Sequence, residues 1–460
     1  MLDTKMPPPM FRQKLELLIL SGNERILNRA KHIVSRYFLT FQHMDFSDLS
    51  KGATLDLMRA QLILLSQEDQ ESLQDFAVRV DQVLHAFPRS RLVTVMAPSL
   101  SRENLEGTAN TRITPLSQAE YFQTMKFEYL CLQRCRAQYF DIKISDLFPM
   151  TTLSFPVFIR QPLNQRYVAV THSNSVLSDD RYQRVSAADG VFILQKDSER
   201  YSQYIASYYD TSGKGMRMRA RAQFLALYQA SLQLNEILLF DFKSSSQESF
   251  VAAYESLQSA GEELLKTFEG QEDLWDLFRE SLSGDFYRLW RAPWIAAYAA
   301  LISKRSGQGN PRVALMSGLL TDVGLLDVEE SLVRRYLLGD GGKQGDSSEL
   351  PQSFGYHPVL SLNRCLGKGV PISEAIKAAM VCTHERFDGK GFPSQVPADK
   401  VPVEAQIVMF AEKIDQAVLT TMQETGVGFR FLKEKVWERE SQKTDAFSSD
   451  FLAAIADSLI

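Results

Sequence analysis

The chain has 460 residues, 45% of them hydrophobic and 23% charged, with a net charge of −5 and four cysteines. These values fit a globular protein of two or three domains, and they exclude a disulfide framework and a chain-wide basic field for a nucleic-acid polymer. No run of about 18 apolar residues marks a membrane span. The start, MLDTKMPPPMF, lacks the pattern of a secretory signal, and the expected compartment is a reducing cytoplasm.

In chain order, LELLIL (Leu15 to Leu20), QLILLS (Gln61 to Ser66) and RLVTVMAP (Arg91 to Pro98) read as buried strands. Amphipathic segments such as ERILNRAKHIVSRYF lie between them. This alternation predicts a parallel sheet covered on both faces. A helix is expected over Gln118 to Phe140, with Cys131 and Cys135 on one packed face. FPVFIR and RYVAV then predict a hairpin, followed by a helix, the strand VFILQ and another helix. His172 is a lone histidine after a strand, read as a surface or hydrogen-bonded residue. KGMRMRAR, Lys214 to Arg221, reads as a solvated basic helix start, because no aromatic residues interleave with its charges.

From about residue 214 onward the pattern is helical. FVAAYESLQSAGEELLKTF and DLWDLFRESLSGDFYRLW carry apolar residues at i, i+3, i+4, and the first of these helices has a face suited to dimerisation. WIAAYAALISK and VALMSGLLTDVGLLDV read as core helices. Leu338 to Gln352 is a Gly- and Ser-rich loop.

The first stretch resembles a response-regulator receiver domain in the order and spacing of its strands. That resemblance implies an acidic pair after the first strand, a phosphate-accepting Asp ending the third, and a Lys-Pro after the fifth. This chain has Ser21 and Gly22, Ser66, and Thr114-Pro115 at those places. Magnesium binding and phosphoryl transfer need carboxylates there. The expectation is a pseudo-receiver over residues 1–125, used for docking or dimerisation. The hairpin module over 140–212 resembles one found ahead of phosphohydrolase domains.

Four helical segments carry the chemistry: GLLTDVGLLDV, GYHPVLSLNRCLG, THERFDGKGFP and VPVEAQIVMFAEKIDQAV. In order and spacing they resemble the HD-GYP family of metal-dependent phosphohydrolases, over roughly residues 285–435. Active members hydrolyse the bacterial messenger cyclic di-GMP on clustered metal ions, which clamp the phosphodiester and generate hydroxide. The resemblance assigns metal ligands to Asp322, His357, His384 and Glu412, with Asp415 kept three residues on. It also exposes losses. The His-Asp pair reads Thr321-Asp322, the nearby Lys reads Leu325, the His-His pair reads Thr383-His384, and the Tyr reads Phe392. The upstream His or Glu is absent from LWRAPWIAAYAALISK.

Two histidines and two carboxylates suffice for one divalent ion (Fe, Mn or Mg) and not for two or three. Three roles stay open for the loop Glu385, Arg386, Asp388, Gly389, Lys390, Gly391, Phe392 and Pro393. It can complete the fold, with Gly389 and Gly391 at positive φ and Arg386 paired to Glu385 or Asp388. It can dock a signalling protein. Through Arg386 and Lys390 it can bind a nucleotide phosphate.

The expected architecture is therefore multidomain: an α/β receiver-like domain, a small α+β module, a helical linker over 213–284, an all-α HD-type domain and a helical tail over 436–460. The expected function is a non-catalytic signalling role in the cyclic di-GMP network, as a pseudoenzyme that docks partners, senses ligand or dimerises. The alternative is a cyclic di-GMP phosphodiesterase with a reduced metal site.

Overall fold

The computed structural model describes residues 15–37, 39–49, 60–96, 112–136, 139–161, 166–188, 190–208, 213–239, 247–268, 291–338, 352–421, 429–443 and 445–459. Its contacts divide the chain into two compact units. One holds residues 1–122 and 127–136, and the other holds 123–126 and 137–460.

The first unit is a parallel sheet with helices. Its strands are β1 (Leu17–Leu20), β2 (Phe41–Met44), β3 (Leu62–Ser66), β4 (Arg91–Met96) and β5 (Ile113–Ser117), in the order β2-β1-β3-β4-β5. Every neighbouring pair is parallel. LLIL and LILLS are buried at every position, as strands covered on both faces require. Helices α1 (Glu24–Tyr37) and α2 (Leu73–Ala86) connect successive strands, and α2 is capped by the Ser72 hydroxyl on the Asp75 amide. α3 (Gln118–Gln123) and α4 (Lys126–Cys131) follow.

The expected helix over Gln118 to Phe140 is shorter than its apolar spacing suggests. A π-helical turn over Leu132–Arg136 ends it, and Tyr139–Ile142 is a strand, β6. Cys131 and Cys135 are free and buried, and burial pushes the Cys131 thiol well up, so it is an inert packing group.

The second unit begins with a small mixed module. β7 (Thr152–Leu153) and β10 (Ser175–Val176) pair with each other. β6, β11 (Val191–Leu194), β8 (Val157–Gln161) and β9 (Arg166–Thr171) form an antiparallel sheet in that order. Helices α5 (Asp179–Ser186) and α6 (Ser198–Tyr208) complete it.

α7 (Gly213–Leu239) then packs along α8 (Gln247–Thr267). The basic start of α7 is not wholly solvated. Arg221 is buried in an ion pair with Asp146, which also accepts from the Tyr201 hydroxyl at 2.5 Å. A guanidinium this deep needs such a partner. The apolar face of α8, the basis of the dimer expectation, is covered within the chain by α7 and α10 (Pro311–Leu320). The segment DLWDLFRESLSGDFYRLW and most of the loop from Leu338 to Gln352 lie outside the described residues.

The helical region continues with α9 (Ala292–Ser306), whose first twelve residues are all buried, as its unbroken apolar sequence demands. α9 packs on α10 and on α14 (Val403–Thr421). α11 (Glu330–Leu338), α12 (His357–Gly367) and α13 (Glu374–Cys382) surround this core. α15 (Phe429–Ser441) and α16 (Ser449–Ile455) close the chain against α9 and α14, so the expected 435/436 boundary runs through a helix. Among the described residues no helix is long and apolar enough to cross a membrane.

Candidate metal centre

Three short backbone devices bring the predicted ligands together. α10 is capped by Asn310, whose side chain accepts from the Arg312 and Val313 amides, and it runs into a 3-10 segment over Thr321–Asp327 that carries Asp322. α12 begins at His357, with Pro358 where a missing amide costs nothing. Gly324 lets these two segments touch, since a Cβ there would lie 2.4 Å from the His357 carbonyl oxygen. The Gly324 amide instead donates to the Ser361 hydroxyl at 2.7 Å. Ser373 caps α13 through the Ile376 amide, which places Thr383 and His384 directly after its last turn.

Asp322, His357 and His384 form a buried cluster whose ligand atoms all lie within 4.8 Å of one another. The His357 and His384 Nε2 atoms are 3.1 Å apart, and His357 Nε2 is 3.8 Å from Asp322 Oδ1. His357 Nδ1 lies 2.9 Å from the Phe354 carbonyl oxygen, which can only accept. The proton of neutral His357 therefore sits on Nδ1, and Nε2 faces the cluster with a lone pair. Burial is the main cause that lowers both histidines to about 3, so both are neutral at pH 7. Burial and the Glu412 charge raise Asp322 to about 6, while Arg291 and His357 oppose the shift.

These donors fit one divalent ion. Neither Asp322 oxygen has a hydrogen-bond partner although the carboxylate is buried, an arrangement that costs energy unless a cation is near. Two nitrogens each about 2.1 Å from one ion at a right angle stand about 3 Å apart, close to the observed spacing of the imidazoles. Neutral imidazoles with a carboxylate are ligands that iron and manganese accept readily. The cluster is suited to a single divalent ion.

Glu412, the fourth predicted ligand, stands beside this cluster with its charge already engaged. Its Oε2 is 3.4 Å from His384 Nδ1. Its Oε1 accepts from the Tyr336 hydroxyl and lies 3.3 Å from Arg291 Nη2. Asp415, one turn along α14, lies 2.8 Å from Arg291 Nε. Burial pushes the Asp415 carboxyl well up. Arg291, at the start of α9, and Tyr336, in α11, were not foreseen as members of the site. The signal for Arg291 was present: a lone charge opening an otherwise apolar helix must find a buried partner.

The two threonines that stand in place of expected histidines face each other. Thr321 Oγ1 is 3.1 Å from Thr383 Oγ1, both are buried, and Thr383 also donates to the Ala379 carbonyl. Leu325, in place of the expected Lys, is buried and apolar.

The loop after His384 is tied down at several points. Buried Glu385 accepts from the Ser394 amide at 2.7 Å and the Val396 amide at 3.2 Å, and it does not pair with Arg386. Arg386 instead makes two bonds to Asp388, at 3.0 and 2.9 Å, and one to Asp445 at 3.0 Å. The Phe387 and Asp388 amides bond the Ala446 and Asp445 carbonyls, so the C-terminal segment holds one edge of the loop. Gly389 has φ +72°, as expected for its turn. Gly391 serves differently, by close approach: a Cβ there would lie 2.4 Å from the Arg386 amide nitrogen. That approach lets Phe392 stack on His384 with ring centroids 4.7 Å apart. Lys390 is exposed, and Pro393 follows the stacked ring.

No protein-family model matches the sequence, and no curated protein sequence matches it. Among solved structures, Bd1817, described as an HDG"Y"P protein from Bdellovibrio bacteriovorus, is similar at 13% identity with a TM-score of 0.42. The likeness covers 70% of this chain and 99% of that one. At that identity and score it assigns this chain neither a family nor an activity.

Proposed function

We propose that the helical region is a degenerate HD-GYP-type domain. It binds one divalent ion through Asp322, His357 and His384 and serves a regulatory role in cyclic di-GMP signalling without hydrolysing the messenger. The observation that carries the reading is the buried Asp322 carboxylate, unpartnered and aimed at two neutral imidazoles. Charge is consistent with a cation here: burial raises the Asp322, Glu412 and Asp415 carboxyls, and a divalent ion would favour their charged forms.

When bound, such an ion supplies Lewis acidity and an acidified water. The chain's own residues do the rest. His357 and His384 stay neutral and present lone pairs, the Phe354 carbonyl fixes the His357 tautomer, and Phe392 covers one face of His384. What hydrolysis also needs is missing. Leu325 offers no charge to a developing phosphorane, and Glu412 is committed to Arg291 and Tyr336. Asp322, His357 and His384 would hold the ion and, through it, would tie the 3-10 segment to the starts of α12 and of the Glu385 to Pro393 loop.

The test pairs metal analysis with a hydrolysis assay. The purified chain, reconstituted with Mn2+ or Fe2+, is expected to hold about one ion per chain and to leave cyclic di-GMP uncleaved. Turnover that disappears in His384→Ala would refute the regulatory reading and install a reduced phosphodiesterase in its place.

A further inference from the structure

Arg291 holds an unusual position for a guanidinium. It is 3% exposed, and the groups around it are ones that ligate metals: Glu412, Asp415 and, through Glu412, His384 and Tyr336. Nη2 lies 3.3 Å from Glu412 Oε1 and Nε lies 2.8 Å from Asp415 Oδ2. The Arg291 side chain also lies 5.8 Å from the centre of the Tyr336 ring. Its Nη1 is buried with no hydrogen-bond partner. A guanidinium placed for hydrogen bonding alone would engage that donor, whereas one placed as a counter-charge need not. Two carboxylates a turn apart on α14 thus converge on a single buried cation.

We propose that Arg291 is a resident cation, standing where a second divalent ion would otherwise sit between Glu412 and Asp415. On this account the site is a two-cation site in which one cation is part of the chain. The exchangeable half is the Asp322, His357, His384 cluster, and that half alone rests on the function proposed above. The permanent half cannot be chelated or exchanged and cannot acidify a water. Removing the guanidinium leaves two buried carboxyls to be neutralised by protons or by a cation, and their spacing one turn apart on α14 suits a divalent ion when one is supplied.

The experiment uses the full chain, stripped with chelator and titrated with Mn2+ by calorimetry and electron paramagnetic resonance. The wild type is expected to take about one ion and Arg291→Gln about two, the pair showing the magnetic coupling of ions a few ångströms apart. Arg291→Lys keeps the charge and is expected to remain at the wild-type stoichiometry. Equal stoichiometry in the wild type and Arg291→Gln overturns the proposal. A wild type that binds no Mn2+ while Arg291→Gln binds about one would defeat the one-ion reading and leave this proposal standing. Should Arg291→Gln purify unfolded, refolding in Mn2+ reads the same point: recovery of its helical circular dichroism supports the proposal, and failure to recover overturns it.

Discussion

Replacing Asp322 by Asn is expected to stabilise the metal-free protein and abolish its response to metal. The carboxylate is buried, and neither oxygen has a hydrogen-bond partner. Burial and the Glu412 charge raise it from 3.8 to about 6. A carboxyl raised in the fold binds its proton more tightly there than in the unfolded chain. The penalty for its charge is therefore complete above pH 6, fades as pH falls, and is gone below about 4. A rise of that size corresponds to about 3 kcal/mol at pH 7.5 and about half that at pH 5. Asn keeps the shape and removes the charge, so the chelator-treated variant should gain stability by up to that amount at pH 7.5. All four tryptophans lie at or beyond Trp275, so fluorescence-monitored urea unfolding reports on the helical region. The same variant loses a ligand, so the stabilisation that Mn2+ gives the wild type should vanish. A metal-free variant less stable than the wild type, or one that still responds fully to Mn2+, refutes the reasoning.

Glu385→Ala should cost about 2–4 kcal/mol in the same unfolding assay, because it strands two amides that a buried carboxylate now serves; Glu385→Gln should cost less, and an unchanged midpoint for Ala would mean the loop holds without it. Gly324→Ala puts a Cβ 2.4 Å from the His357 carbonyl, a backbone atom that can yield only if α12 moves; Mn2+ affinity should fall about tenfold or more with the ligands untouched, and wild-type affinity in calorimetry would sink that account. Acid should also destabilise the metal-free chain. His357 and His384 are lowered to about 3, so the unfolded chain binds protons first, and their contribution, complete above pH 6.5, is lost as pH falls. Each histidine then costs about 2 kcal/mol by pH 5, partly offset by Asp322, and His357→Asn should flatten that decline in urea midpoints.

The parts of the fold that were legible in the sequence are those where burial is continuous. LLIL and LILLS, buried at each position, could be read directly. β2, FQHM, is a mostly exposed edge strand with no apolar run to announce it. β6 was hidden because helical spacing persists through EYLCLQRC until the π-turn breaks it. In the site, residue type and order pointed to Asp322, His357 and His384. Arg291 was passed over, although a charge opening an apolar helix was there to be read, because a ligand search asks for donors and this position supplies a cation.

The two hydroxyl pairs leave the two ends of the chain with different charge balances. At the ends of β1 and β3, where the receiver resemblance implies carboxylates, Ser66 donates to Ser21 at 2.6 Å and both are buried. The local balance there is neutral and satisfied, so those two positions have no call for a cation. Thr321 and Thr383 repeat the device in the helical region, closing two ligand positions with one hydrogen bond. A hydroxyl in place of Asp322 would make the pocket an ordinary polar core; the chain has instead a buried carboxylate whose charge costs several times what a surface hydrogen bond returns. Such a group is relieved by a proton or by a cation, and the two neutral imidazoles beside it make the cluster suited to a divalent cation.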